Sequence, residues 1–381
     1  MMNKAALYFH IPFCLRRCDY CDFCSFTGKN EADFSLYTEA LLREMAEYRD
    51  KTDGLLFDTL FFGGGTPSLL PTACVERLIS FAKEIFSVAK DAEITLEANP
   101  ATVNREGLAR LRELGINRLS IGVQSLVDGE LCRLGRLHTA SDAQRIFHDA
   151  RAVGFDNINV DLMYGIPEQT VESAKETLDG VLRLSPDHIS AYSLMLEEGT
   201  PLYLKRGALS FPTEEEEEAI DALLKQTLAS HGYQHYEISN FAKVGRECRH
   251  NLHYWRSEPY LGFGVAAYSF FNTERYGNAC DLAKYLQDPT AQKAESEVLT
   301  DDALAYEWIM LRLRLKEGIS VKEYFDRFGV DLRGKYGKTI EKYTVQGLMH
   351  EKEGRIALTE RGFRVSNAIL VSFMPDSSEN G

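Results

Sequence analysis

Over roughly the first 240 residues, short apolar runs alternate with longer stretches whose apolar positions fall three and four apart. The first kind reads as strand and the second as amphipathic helix. The pattern predicts strands over Ala6 to Ile11, Asp58 to Phe62, Glu93 to Glu97, Arg118 to Val123, Asn157 to Leu162 and His188 to Leu194. Helices are expected between them over Asp33 to Tyr48, Thr72 to Ala89, Asn104 to Leu114, Thr139 to Val153 and Val171 to Leu184. Gly115 and Gly154 stand where a helix closes on a left-handed residue. Regular strand–helix alternation implies a parallel α/β architecture. Six strands are too few for a closed eight-stranded barrel, so the expected fold is a partial (β/α)6 barrel over 1–240. Residues 241–298 read as a connecting segment. From Leu299 the pattern changes to short helices and a hairpin-like Gly354-Arg355-Ile356-Ala357-Leu358, which predicts a smaller winged-helix-like domain over 299–381. The acidic run Glu214 to Glu218 after Thr213 reads as a capped helix start, where carboxylates favour the helix dipole.

Several polar positions sit just past the expected strands. Three cysteines follow the first strand, Gly63-Gly64-Gly65-Thr66-Pro67 the second, and Gln124 the fourth; Glu97 ends the third and Asp161 the fifth. In (β/α) barrels the carboxyl ends of the strands share one face, where function collects, so these residues are expected around one pocket. The glycine run lets backbone approach a ligand closely. It lacks the Gly-Lys-Ser/Thr ending of a P-loop, which argues against a nucleoside triphosphate; an unliganded βα turn is the plainer alternative.

Cys14, Cys18 and Cys21 follow a C-x3-C-x2-C spacing. A [4Fe–4S] cluster normally takes four cysteines; three would leave one iron open to another ligand. With Cys24, the group could instead be a four-thiolate zinc site, although zinc ligands usually come as two distant pairs. Cys24 as a fourth ligand would close the cluster and leave an electron carrier. Disulfides are disfavoured on spacing and compartment, and Cys74, Cys132, Cys248 and Cys280 are expected to be small buried hydrophobes.

The chain has 381 residues, 44% hydrophobic and 26% charged, with a net charge of −14. That balance excludes a dominant nucleic-acid partner, which needs a basic face, and turns the winged-helix-like module towards packing or protein contact. No apolar run reaches the ~20 residues of a membrane span, and no signal peptide is read at the start, so a cytoplasmic location is expected. A second cluster, His250-Asn251-Leu252-His253-Tyr254-Trp255, combines imidazole, a common haem ligand, with rings that could pack on a macrocycle. On chemistry alone, a packed loop with hydrogen-bonded histidines is the favoured reading.

These blocks together resemble one family. Tyr8-Phe9-His10-Ile11-Pro12-Phe13-Cys14, Phe62-Gly63-Gly64-Gly65-Thr66-Pro67-Ser68, Ile121-Gly122-Val123-Gln124-Ser125, Asp161-Leu162-Met163-Tyr164-Gly165-Ile166-Pro167 and Tyr236-Glu237-Ile238-Ser239-Asn240-Phe241-Ala242 are similar to the radical S-adenosylmethionine (SAM) branch of oxygen-independent coproporphyrinogen III oxidase and the HemW-type haem chaperones. The resemblance implies that Cys14, Cys18 and Cys21 hold a [4Fe–4S] cluster and that Tyr8, Gly64 and Glu97 contact SAM. Tyr20, Gly65, Thr66, Gln124, Arg136 and Asp161 match further SAM contacts, which in the oxidase serve a second SAM. The oxidase has a cysteine two residues after the third; here that position is Phe23, and Cys24 falls one later. The cluster loop also begins almost at the N-terminus, and His250-Asn251-x-x-Tyr254-Trp255 resembles the haem-binding motif of the chaperone branch. The resemblance therefore implies a haem carrier that passes haem to an acceptor such as a respiratory haem protein. His250 is its ligand candidate, and no catalytic residue is assigned. Oxidative decarboxylation of coproporphyrinogen III is the alternative activity, and radical chemistry on another substrate a third.

Overall fold

The structure is a computed structural model and describes residues 3–374. Six parallel strands pair in chain order: β1 (Asn3–Ile11), β2 (Leu55–Gly64), β3 (Val88–Ala98), β4 (Arg118–Gln124), β5 (Ile158–Tyr164) and β6 (His188–Ser193). Helices α1 (Glu31–Ala46), α2 (Thr72–Ile85), α3 (Arg105–Glu113), α4 (Asp128–Arg133), α5 (Ala140–Ala152) and α6 (Val171–Leu184) connect them. The register explains the alternation in the sequence. Leu60, Phe62, Leu96, Leu119, Ile158 and Val160 point outward into one apolar core beneath the helices. Thr59, Glu93, Thr95, Arg118, Ser120, Asn159, His188 and Ser190 alternate with them, point inward and are buried all the same. The sheet therefore carries an apolar layer outside and a polar lining inside. This is the partial barrel the pattern predicts, with the expected smaller domain after it.

Element boundaries differ from expectation in places, and one short helix was not expected. Residues 86–89 are not helix: α2 stops at Ile85, and Val88 already pairs with Phe57. A β-branched residue beside an apolar partner strand has more to gain there than in a last helical turn. Helix α1 starts earlier than Asp33, because the Asn30 side chain caps it and Asp33 returns the bond. The short α4 has no long apolar period and was not legible. The Thr213 reading holds: its side chain accepts from Glu216 N at the start of α8 (Glu214–Ser230), which follows the short α7 (Pro201–Lys205).

Residues 241–298 do more than connect. Beyond β6 the sheet takes two short strands, β7 (Gln234–His235) and β8 (Asn240–Ala242). The chain then forms α9 (Arg249–Trp255) and returns to the opposite edge. There β9 (Tyr260–Phe263) pairs parallel to β1, and β10 (Tyr268–Phe271), β11 (Glu274–Asn278) and β12 (Lys293–Val298) extend the sheet antiparallel. Phe263 joins Phe9 and Phe62 in the main core. After β11, α10 (Leu282–Gln287) packs back on α1, with Tyr285 against Tyr37. Cys24 and Cys280 are joined by a disulfide across 256 residues of sequence. This corrects the expectation that neither is crosslinked: spacing can suggest a metal loop, but not a partner on a distant element.

From α11 (Asp301–Arg312) on, the chain builds its own core. Helices α12 (Val321–Phe328) and α13 (Leu332–Val345) pack with β13 (Ile319–Ser320), β14 (Met349–Lys352) and β15 (Arg355–Leu358) around Trp308. The module is fastened under the barrel by Lys316 N donating to Tyr236 O and by Arg327 donating to Ser257 O. Because the two cores are separate, Trp308→Ala should act locally. Emptying that site costs ~3–5 kcal/mol, so the variant should become protease-sensitive between α11 and β15 while the barrel stays resistant. Equal loss of resistance in both parts would show that the two cores unfold as one.

Candidate metal centre and cofactor site

The cluster loop is pinched at its base. Phe26 N donates to Pro12 O (2.6 Å), and Cys14 N donates to Phe26 O (3.1 Å). The loop between them brings Cys14, Cys18 and Cys21 to a cavity of about 360 Å³ at the carboxyl ends of the strands. Tyr20, Gly64, Gly65, Thr66, Glu97, Gln124, Arg136 and Asp161 line the same cavity. Of the residues singled out for the cluster and SAM, only Tyr8 lies deeper, in a chamber of about 180 Å³ that shares Glu97 and Asp161 with the upper cavity. The rim residues Arg16 and Arg17 and the wall residues Ser120, Met163 and Tyr192 were not singled out from sequence, and Phe23 was noted only as a departure from the oxidase. Inward alternation on β4, β5 and β6 would have found these three wall positions and their neighbours Arg118, Asn159 and His188 as well.

The glycines are there because nothing larger fits. A Cβ on Gly65 would stand 2.9 Å from Phe13 O and 3.0 Å from Cys14 Sγ. Gly64 has φ 112°, and its Cβ would meet the His10 ring at 2.6 Å. Their bare backbone does the work: Gly65 N donates to Ile11 O (2.9 Å), Gly64 N donates to Glu97 Oε2 (3.1 Å), and Thr66 Oγ1 donates to Cys14 Sγ (3.5 Å). Arg136 donates to Gly122 O (2.7 Å), and its other terminal nitrogen lies 3.5 Å from Cys18 Sγ. At the end of β4 the register slips between Gly122 and Gln124, and Gln124 adopts φ 67°, which turns the strand into the rim.

This donor set fits a cluster. Burial pushes the Cys14 and Cys21 thiols up, so a metal must displace their protons. Among the described residues no three His, Cys, Asp or Glu side chains converge on a single ion, whereas a cluster takes one thiolate per iron from ligands spread around it. Glu97 is pushed up to about 8, first by burial and then by the charge of Asp161, against the Gly64 hydrogen bond.

Below the cavity, hydrogen bonds run down the barrel with one polarity. Asn159 Oδ1 can only accept, so His188 donates from Nδ1 (2.6 Å) and takes the Tyr236 hydroxyl proton at Nε2 (2.8 Å). The Tyr236 hydroxyl oxygen in turn accepts from Cys248 N (3.2 Å), and Asn159 Nδ2 donates upward to Asp161 (2.7 Å). Burial, with Arg118 beside it, lowers the His188 pKa well below the usual imidazole value and keeps the ring neutral. Every donor in the chain points towards Asp161.

The floor of the barrel is α9. Glu93 receives its first amides: Arg249 N at 3.2 Å and His250 N at 3.1 Å. This places His250, Asn251 and Tyr254 in the wall of the deeper chamber. His250 is 1% exposed, stacks on Phe61, and has both ring nitrogens engaged, Nδ1 with Thr59 (2.9 Å) and Nε2 with Tyr254 (2.8 Å). The chamber is smaller than the ~300–1,000 Å³ of ordinary cofactor pockets. Trp255 lines neither cavity and packs towards Arg314 of the C-terminal module. His250 stacks on Phe61, and the Phe61 ring also stands against Gly63, so one aromatic layer separates His250 from the glycine turn.

The chain matches the family model described as the radical SAM superfamily over residues 8–181 and the HemN C-terminal domain over residues 299–365. The radical SAM family implies a [4Fe–4S] cluster and SAM. The haem chaperone HemW of Bacillus subtilis is 35% identical over 375 residues, 96% of this chain and 98% of that protein. HemW of Lactococcus lactis is 34% identical over 99% of each chain, and HemW of Escherichia coli 33% over 97% and 98%. Among solved structures, coproporphyrinogen III oxidase (HemN) of Escherichia coli superposes with a TM-score of 0.85 over 98% of this chain and 90% of that one, at 24% identity. At that identity the likeness is one of fold.

Helix α9 is also held by His253, whose Nε2 lies 2.6 Å from Asp58 and whose Nδ1 lies 2.6 Å from Glu258. Burial opposes a charge on His253, but the bonds to Asp58 and Glu258 outweigh it and raise the pKa. Burial likewise pushes Asp58 up, yet His253, Lys4 and Arg249 hold it below the ordinary carboxylate range. A raised imidazole contributes stability that is full below its unfolded value of ~6.5 and lost as pH rises through the raised one. A depressed carboxylate contributes above ~3.9 and loses it as pH falls. The pair thus anchors α9 best between about pH 4 and 6.5. His253→Gln should lower the urea midpoint most in that window, with a penalty that shrinks as pH rises past the raised imidazole value. A pH-independent penalty would mean that the anchor is not an ion pair.

Proposed function

This chain belongs to the family of the haem chaperone HemW, and we propose on that footing that it binds haem and transfers it to acceptor haem proteins. The carrying observation is likeness along nearly the whole length of both chains at 33–35% identity to chaperones, against a likeness of fold to the oxidase. Cys14, Cys18 and Cys21 would hold the cluster, and the glycine turn with Tyr8, Glu97, Gln124, Arg136, Asp161, Tyr20 and Thr66 the SAM beside it. A cluster with one iron free of protein supplies, when bound, the electron that cleaves SAM. By family analogy the acceptors are respiratory haem proteins served from the cytoplasm; no helix among the described residues is long and apolar enough to cross a membrane.

The geometry refines how haem would be held. With α9 seated, His250 offers no free nitrogen, so ligation by His250 requires α9 to leave the floor. The haem-competent state is then a minor one, and apparent affinity falls by its fraction. Glu93→Gln weakens the cap on α9 and should speed haem association several-fold in stopped-flow Soret measurements. His250→Ala should weaken haem at least tenfold with the circular dichroism unchanged; unaltered affinity would remove His250 as the ligand. Vinyl-bearing product from coproporphyrinogen III, in an anaerobic assay with reductant and SAM, would replace the chaperone reading with the oxidase.

Glu97 gives a separate test. Its pKa of about 8 leaves it largely protonated at pH 7, and an ammonium group beside it favours the carboxylate. SAM binding to the reconstituted protein at pH 7 should therefore release close to one proton, read by calorimetry in buffers of different ionisation enthalpy. Glu97→Gln should release none; equal release from both would place the titrating group elsewhere.

A further inference from the structure

We propose that Cys24 and Cys280 form a redox-modification site, a reversible disulfide that governs how firmly the SAM side of the barrel mouth is held. The inference rests on the cluster and SAM site and is independent of the haem reading.

Cys24 lies three residues beyond Cys21, on the strand-like exit of the cluster loop, and Cys280 lies between β11 and α10. The disulfide is therefore the covalent tie between the cluster loop and the four-strand extension. Cys280 is exposed and Cys24 half-buried, so a small disulfide or thiol can reach the bond. Thiols kept in a reducing compartment form disulfides that are mostly transient and regulatory.

The tie reaches the cofactor site through one side chain. Cys24 O lies 3.2 Å from His10 Nε2, whose Nδ1 lies 3.1 Å from the Tyr8 hydroxyl. The His10 ring fills the space where a Cβ of Gly64 would be, and Gly64 N is the donor to Glu97. On the other side Tyr37, which packs on Tyr285 of α10, donates to His10 O (2.8 Å). His10 is thus held by the cluster loop on one side and, on the other, by α1, on which the extension's α10 packs. Breaking the bond frees Cys24 from the extension, loosens the carbonyl on His10, and loosens the Gly64–Glu97 contact that His10 backs.

The chemistry balances as thiol–disulfide exchange. As the Cys24–Cys280 bond forms, the two thiols give up two protons and two electrons. A small-molecule disulfide accepts them, and its own S–S bond breaks to give two thiols. Dithiothreitol runs the step in reverse.

The test uses the reconstituted holoprotein under anaerobic conditions, in which the cluster occupies Cys14, Cys18 and Cys21. The protein is poised with glutathione disulfide or with dithiothreitol, alkylated, and analysed by peptide mass spectrometry. SAM affinity is measured on the same samples at unchanged cluster absorbance. Oxidised wild type should give a Cys24–Cys280 peptide, and reduction should weaken SAM at least threefold. Cys280→Ser should show the weaker affinity under both conditions. Absence of the crosslinked peptide, a change under threefold, or a redox response retained in Cys280→Ser each overturns the proposal. Since haem enters none of these readouts, such a failure leaves the haem reading standing.

Discussion

A barrel interior lined with polar side chains must pair most of them without bulk water, and Glu93, Asn159 and His188 are paired here. An unpaired buried polar group costs far more than a hydrogen bond returns. Here the constraint decides the architecture. Glu93 is buried on β3, and three groups of the 248–250 turn meet its carboxylate, which draws α9 into the barrel mouth opposite the cluster. Once α9 is seated, Cys248 N becomes the donor that begins the chain to Tyr236, His188, Asn159 and Asp161. The floor and the cofactor wall are therefore two ends of one solution to the same problem. The C-terminal module packs from below, where Lys316 N donates to the Tyr236 backbone carbonyl.

Much of this could be read from the chain because parallel strands with helices outside leave a two-residue signature. Leu119, Ile121 and Val123 alternate with Arg118, Ser120 and Gly122, and only a strand with two different buried faces reads that way. The same logic placed Glu97, Gln124 and Asp161 at strand ends, and they do share one cavity with the three cysteines. Position along a strand is a local property, so local pattern suffices. The spacing of Cys14, Cys18 and Cys21 is local for the same reason.

What stayed hidden depends on contacts between distant elements. Residues 241–298 carry short, weakly apolar runs, and only the free edge of β1 makes strands of them. Cys280 sits in such a run, so nothing near it announces Cys24. The fate of the His250 motif is the clearest case. Its residue types suit a haem, and its sequence says nothing about Glu93, 157 residues earlier, whose carboxylate decides which way the helix faces. Arg118 belongs here too: it reads as the first residue of a strand, and its burial beside Glu93 and Asp161 is a property of the closed barrel.

The polarity of the internal hydrogen-bond chain constrains what the two ends can do to each other. His188 is neutral and donates from Nδ1 because Asn159 Oδ1 offers no proton; reversing the chain would require turning the Asn159 amide away from Asp161. The chain is thus a fixed dipole that supports negative charge on Asp161, next to a Glu97 that burial and that same charge keep protonated. A cation arriving at the mouth meets two carboxylates that burial pushes up, Asp161 supported from below by hydrogen bonds and Glu97 by the Gly64 amide. Lifting α9 would withdraw Cys248 N, the first donor, and weaken the support for Asp161 from below. Occupancy at the mouth and release of the floor therefore oppose each other through groups that are all hydrogen-bonded. This is a physical reason for a carrier to keep a cofactor cradle and a histidine-bearing helix at opposite ends of one barrel.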